Sequence, residues 1–207
     1  METLSAIIAG FSAMSVWEYV AVALSMAYLL LAMKESLWCW PAAFISTLIY
    51  TLMYWNGALL MESALHFYYM GMAVYGWWAW RYGRQNSARQ GITSYTVQRH
   101  AVVIAATTVV ALVAGYVMDN YTHADYAYLD SLTTCFAVVT TYLVAQKVLE
   151  NWLYWVVIDA ASIYLYVAKG YYPTTVLFVF YTVMAVAGYL RWRAQYQHKS
   201  TTGTAYA

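Results

Sequence analysis

Ten residues near the C-terminus, Met184-Ala185-Val186-Ala187-Gly188-Tyr189-Leu190-Arg191-Trp192-Arg193, repeat Met72-Ala73-Val74-Tyr75-Gly76-Trp77-Trp78-Ala79-Trp80-Arg81 with six of the ten positions identical. A chain that uses this run twice, 112 residues apart, is built from two copies of one unit, and that restricts its architecture more than any propensity does. Tyr69 stands seven residues before Gly76, as Tyr181 stands seven before Gly188. Further upstream, Glu35 and Trp40 answer Glu150 and Trp155, so the offset drifts from 112 to 115, as loops of unequal length would produce. Internal duplication in an apolar chain is a mark of secondary transporters.

The apolar character is pronounced. Hydrophobic residues make up 64% and charged residues 9% of the chain, against roughly 25% charged in an average soluble domain, so most of the surface is expected to face lipid. The length of 207 residues leaves no room for a large soluble domain, and residues 1–207 read as one membrane domain. A net charge of +1 argues against nucleic acid as a partner. Cys39 and Cys135 fall in apolar segments and read as small packing side chains, with no disulfide or metal site expected. Met1 to Ser15 carries Glu2 and no Lys or Arg, which predicts a short amphipathic lead-in at the membrane surface and not a signal peptide.

A spanning helix needs about 20 mostly apolar residues, and seven are predicted, near 16–33, 37–55, 60–80, 99–118, 128–146, 150–168 and 172–192. The breaks carry turn signals: Lys34-Glu35-Ser36, Asn56-Gly57, the polar stretch Tyr82 to Gln98, Asp119 to Asp125, Gln146-Lys147, and Lys169-Gly170 before Pro173. Pro41 falls in a first turn, where its missing N–H costs little. With the N-terminus outside, Lys34, Arg81, Arg84, Arg89, Arg99, Lys147, Arg191, Arg193 and Lys199 lie on the cytoplasmic side. Only Lys169 is left outside, so nine of ten basic residues support N-out, C-in. The repeat then divides the helices as 3+1+3: unit one at about 16–80, a linking helix at about 99–118, unit two at about 128–192. The unpaired helix gives both units the same orientation, hence parallel repeats about an axis along the membrane normal.

Ionisable groups inside spanning segments mark function by default. They are Glu62, His66, Asp130 and Asp159. Asp159 lies deepest, and Trp152, Trp155, Ser162 and Tyr166 share its helical face. At the drifting offset the matching stripe of unit one is Trp40, Phe44, Thr47 and Thr51, which sets Phe44 against Asp159; Glu62 faces Thr174 in the same comparison. Glu62, His66 and Tyr69 form a second stripe; Asp130, Thr133, Thr134 and Thr141 form a third. Glu62 and His66 serve either a Glu–His hydrogen bond or a binding site, and two ligands without a third do not make a metal centre. The Thr residues serve either helix packing or ligand contact. Trp38, Trp77, Trp78, Trp80 and Trp192 near helix ends read as interfacial belt residues, and Gly71, Gly76 and Gly188 as close-packing positions. Aromatic faces with carboxylates and hydroxyls predict a small, flat, cationic, hydroxyl-bearing ligand.

Two other classes are disfavoured. A retinal protein needs a Lys inside its last helix, and 172–192 has none. A membrane enzyme needs a metal set or nucleophile–base pair, and none appears; no catalytic residue and no cofactor is expected. A transporter of another nucleoside or small sugar remains the alternative.

Several runs carry a family resemblance: Glu62-Ser63 through Tyr75-Gly76-Trp77-Trp78-Ala79-Trp80-Arg81, Asp130-Ser131-Leu132-Thr133-Thr134, and Asn151-Trp152-Leu153-Tyr154-Trp155-Val156-Val157-Ile158-Asp159. Tyr166-Val167-Ala168-Lys169-Gly170 and Gly188-Tyr189-Leu190-Arg191-Trp192 complete the set. In these the chain resembles the PnuC transporters of bacteria, which take up nicotinamide riboside. The resemblance implies a SWEET-like 3+1+3 fold, a homotrimer in the bacterial inner membrane, and facilitated diffusion with a cytoplasmic kinase trapping the product. It also implies site roles: Trp155 and Tyr166 enclose the nicotinamide ring, and Asp159 and Asp130 bind ribose or counter positive charge. Thr134, Ser162, Asn151 and Tyr69 add polar contacts.

Overall fold

The computed structural model describes residues 2–56, 60–83, 91–122 and 126–204, so Gly57, Arg84, Arg89 and Asp125 lie outside the described residues. Among the described residues eight helices follow one another: α1 Glu2–Ser12, α2 Val16–Met33, α3 Cys39–Asn56, α4 Leu60–Tyr82, α5 Val97–Tyr121, α6 Ala127–Ala145, α7 Asn151–Ala168 and α8 Tyr172–Thr204. Seven of them answer the predicted spans, six within a few residues; α8 alone runs well past its expected end at 192. The lead-in forms α1, and it does not lie apart from the bundle. It packs against α8, where Gly10 meets Pro173 so closely that a Cβ would stand 2.3 Å from its ring.

Among the described residues four segments are long and apolar enough by composition to cross a membrane: α2, α5, α6 and Tyr172–His198 of α8. The helices α3, α4 and α7 have 18, 23 and 18 residues, long enough to span, but Tyr, Trp, Ser, Thr and Asp lower their hydropathy. These helices supply much of the wall of the interior cavity described below, which is why they need not be uniformly apolar.

Within each unit the helices pack in sequence, α2 on α3 on α4 and α6 on α7 on α8; α4 meets α6, α2 meets α8, and α5 packs on α6. The local reasons for the turns recur. At the end of α2 the Ser36 N–H donates to Leu31 O at 2.9 Å and the Glu35 N–H to Ala32 O at 3.0 Å. At the end of α6 the Val148 N–H donates to Leu143 O at 3.0 Å and the Lys147 N–H to Val144 O at 2.9 Å. Both are Schellman closures, and both place a non-glycine residue in the left-handed region, Glu35 at φ 52° and Lys147 at φ 53°. Left-handed backbone costs such residues about 1–2 kcal/mol each. These two equivalent residues touch each other: Lys147 Nζ donates to Glu35 Oε2 at 2.8 Å across 112 residues of sequence.

The tryptophans of the repeated run cross over in the same place. The Trp80 Nε1–H donates to Ala145 O at 3.1 Å, closing an open carbonyl at the end of α6, and the Trp192 Nε1–H donates to Ala32 O near the end of α2 at 3.2 Å. Each unit thus caps the other. Trp80 and Trp192 are 7% and 0% exposed, so their assignment to an interfacial belt is corrected, whereas Trp38 at 73% and Trp78 at 55% remain on the surface. Each carries an equivalent neighbour, Trp40 edge-on to Trp80 at 5.2 Å and Trp152 edge-on to Trp192 at 5.4 Å. The Trp40 ring lies on Gly76 and the Trp152 ring on Gly188. Gly71 meets nothing within 4 Å of a built Cβ, so it is not a close-packing position.

These equivalences correct the register. Trp40 corresponds to Trp152, not to Trp155, and the offset is 112 at every matched position; the Glu35–Glu150 match is incidental, since Glu150 precedes the first turn of α7. The linker is fastened to one unit: Thr93 brackets the α6–α7 turn, its N–H donating to Lys147 O at 2.9 Å and its carbonyl accepting from Leu149 at 2.7 Å. Ser94 Oγ donates to the Glu150 carboxylate, and His100 meets the Tyr154 hydroxyl at 2.9 Å.

The inter-unit ion pair is mostly shielded, so Glu35→Lys and Lys147→Glu singly should each lower stability by about 1 kcal/mol. The double reversal should recover most of that loss in thermal melts of the detergent-solubilised protein. Equal melting of all four proteins would show that the pair contributes nothing.

Candidate functional site

A cavity of about 500 Å³ lies between the two units, walled by α2, α3 and α4 on one side and by α6, α7 and α8 on the other. Phe11 and Met14, in and just after α1, line it together with Pro173. The constant offset organises the wall in pairs. Tyr54 and Tyr166, Tyr69 and Tyr181, Leu65 and Leu177, and Ala73 and Ala185 all line it from equivalent positions. Each unit sets a tilted aromatic pair there: Tyr54 with His66 at 5.0 Å and Tyr166 with Phe178 at 5.2 Å. Small groups at Ala73 and Ala185 are buried beside Trp40 and Trp152 in one apolar core.

Chemical differences between the halves stand out against this symmetry. Unit two has Asp159 where unit one has Thr47, Trp155 where it has Ala43, Ser162 where it has Tyr50, and Phe178 where it has His66. Asp159 is therefore matched with Thr47, and the expected pairing with Phe44 is corrected. Asp159 is 3% exposed, and among the described residues no cation forms an ion pair with it. A buried carboxylate without a partner is costly, and the exceptions are functional. Glu18 and Asp130 are the other acidic lining groups, again equivalent positions. Glu18 is engaged in a capping box with Ser15 at the start of α2.

Of the residues singled out from sequence, Asp159, Trp155, Trp152, Ser162, Tyr166, Asp130, Thr134, Tyr69, His66 and Trp40 line the cavity. Three do not. Glu62 is exposed and outside the lining, and the expected Glu–His side-chain bond is replaced by one from His66 Nδ1 to the Glu62 main-chain carbonyl at 2.9 Å. Asn151 is fully buried with its amide on Val148 O; Phe44 packs into the core cluster instead. The overlooked wall residues are Tyr28, Tyr50, Tyr54, Tyr181 and Phe178. The 112-residue spacing, held constant, would have found Tyr54 from Tyr166 and Phe178 from His66.

Two further features bear on chemistry. Trp40 and Trp152 are 2% and 1% exposed, and neither indole N–H has a hydrogen-bond partner among the described residues. No Lys or Arg among the described residues lines the cavity, so nothing in its wall matches a phosphate, which is ordinarily met by Arg or Lys.

A family model described as nicotinamide mononucleotide transporter matches residues 15–194. The chain is 25% identical over 181 residues to the riboflavin/roseoflavin transporter RibM of Streptomyces davaonensis, covering 86% of this chain and 84% of that protein. It is 22% identical over 173 residues to the nicotinamide riboside transporter PnuC of Escherichia coli, covering 72% of each. Its fold is that of the crystal structure of the vitamin B3 transporter PnuC, with a TM-score of 0.72 at 20% identity, covering 93% of this chain and 88% of that one.

Proposed function

The chain belongs to the nicotinamide mononucleotide transporter family, the PnuC transporters, and from that premise we propose that this multi-pass membrane protein carries nicotinamide riboside. The observation that carries the reading is Asp159: a buried carboxylate, without a cation, on the wall of an aromatic cavity. A pyridinium ring supplies the missing positive charge, and aromatic faces favour it further, by about 2 kcal/mol for a desolvated contact. Trp155 and Tyr166 enclose the ring, Asp159 and Asp130 counter its charge, and Ser162, Thr134 and Tyr69 offer polar contacts. The Trp40 and Trp152 indole N–H groups are donors for the carboxamide oxygen, an acceptor that would satisfy groups otherwise costly to bury. The absence of Lys and Arg from the described wall favours the nucleoside over its phosphorylated form.

In this reading α2–α4 and α6–α8 are the two parallel units of a SWEET-like 3+1+3 transporter formed by the single domain 1–207, with α5 as the linking helix. The protein is no enzyme. It sits in the bacterial inner membrane with its N-terminus outside, as a homotrimer, and works by facilitated diffusion with alternating access. A cytoplasmic kinase draws uptake forward by phosphorylating the product.

A second reading is favoured by the 25% identity to a riboflavin transporter. Titration calorimetry of the purified protein separates them. Nicotinamide riboside should give heat, and nicotinamide mononucleotide should give none; heat from riboflavin with none from nicotinamide riboside would replace the first reading by the second. Uptake into liposomes should be unchanged by an imposed proton or sodium gradient, and accumulation that follows such a gradient would end the facilitator mechanism.

A further inference from the structure

The two halves of the cavity differ in a way that sets the direction in which a ligand lies. Unit two offers an indole at Trp155 and a carboxylate at Asp159, a wall suited to a flat cation. At the equivalent places unit one has Ala43 and Thr47, which leave more width and no charge. Beside them His66 is set among three phenol rings, 5.2 Å from Tyr50, 5.0 Å from Tyr54 and 5.8 Å from Tyr69.

The hydrogen bonding of this half is fixed by the backbone. His66 Nδ1 lies 2.9 Å from the Glu62 carbonyl, so Nδ1 carries the proton and the neutral ring keeps Nε2 as an acceptor. The Thr47 hydroxyl donates to Ala43 O at 2.8 Å, which leaves its oxygen lone pairs as acceptors too. Glu18, the acidic group at this rim, is held in its capping box at the start of α2. Two fixed acceptors, with the phenol hydroxyls of Tyr50, Tyr54 and Tyr69 beside them able to donate or accept, suit a non-planar group that bears several hydroxyls.

We propose that the unit-one half of the cavity, with His66 and Thr47 as its acceptors, binds the sugar hydroxyls of the ligand and so determines specificity for a riboside over the bare ring. The inference rests on the nicotinamide riboside reading and assigns the ligand's orientation within that site: ring against α7, ribose against α3 and α4.

The test compares two ligands on His66→Phe, a substitution that places in unit one the ring that Phe178 already supplies at the equivalent position of unit two. The probes are nicotinamide riboside and the N-methylpyridinium analogue of nicotinamide, which keeps ring and charge and lacks the ribose. Affinities come from calorimetry for the first and from displacement of radiolabelled nicotinamide riboside for the second. Losing one hydrogen bond should weaken nicotinamide riboside roughly 5- to 10-fold, leave the analogue unchanged, and Thr47→Val should show the same selectivity. A His66→Phe protein that weakens both ligands equally, or neither, overturns the subsite; so does an analogue that fails to displace the riboside from the unmutated protein. Failure of the unmutated protein to bind nicotinamide riboside overturns the transport reading instead.

Discussion

Asp159→Asn weakens nicotinamide riboside binding by roughly 10- to 100-fold, the equivalent of a charge-assisted contact of about 1.5–3 kcal/mol. The same substitution leaves the ligand-free protein at least as stable as its parent. These opposite signs follow from one fact: Asp159 is 3% exposed and no cation of the described chain pairs with it. A buried carboxylate that held the fold together would lose stability on neutralisation, while one kept for a cationic ligand relieves a desolvation cost. Calorimetry and thermal melts of the same preparations separate the two. Unchanged affinity with a lower melting temperature would make Asp159 structural and remove the main support for the proposed cargo. Glu35→Gln is the matched control, since Glu35 is joined to Lys147 outside the cavity lining and its loss should alter stability more than affinity.

Gly188→Ala and Gly76→Ala should both destabilise the bundle, each by driving a methyl group into a buried indole. A Cβ at Gly76 would stand 2.3 Å from the Trp40 ring, and one at Gly188 would stand 2.6 Å from the Trp152 ring. Neither ring can withdraw easily, because Trp40 and Trp152 are buried against Trp80 and Trp192. Overpacking of this kind costs about 1–3 kcal/mol, visible as a lower melting temperature and a smaller folded fraction on size-exclusion chromatography. Gly71→Ala, with nothing within 4 Å, should raise stability by about 0.5–1 kcal/mol through helix propensity. Combining Gly188→Ala with Trp152→Leu should cost less than the sum of the two, since the smaller side chain makes room for the methyl. Additive losses in that cycle would mean that the clash is relieved elsewhere.

The helix spans were legible because apolar runs bounded by Lys34-Glu35-Ser36 or Lys169-Gly170 carry their own stop signals. Asp159 and His66 were legible because charged or ionisable groups are rare in apolar helices. Glu62 falls outside the lining for an equally definite reason: its spacing from His66 is correct for a shared face, but His66 bonds the Glu62 carbonyl and leaves the exposed carboxylate out of the pair. Trp80 and Trp192 were misplaced because position near a helix end says nothing about what stands opposite. Their partners, Ala145 and Ala32, are 65 and 160 residues away.

The sequence by itself determined that a ten-residue run recurs 112 residues on, where the helices run, and that the interior would be aromatic with few charges. These are properties of local pattern and of self-similarity, both written along the chain. Only the tertiary structure decided the register between the copies. An ion pair between Glu35 and Lys147, matched helix closures at Glu35 and Lys147, and rings seated on Gly76 and Gly188 fix the offset at 112. That register sets Asp159 opposite Thr47 and Phe178 opposite His66. The physical reason is that helical periodicity specifies which residues share a face, whereas the partner of that face is chosen by packing between segments far apart in the chain.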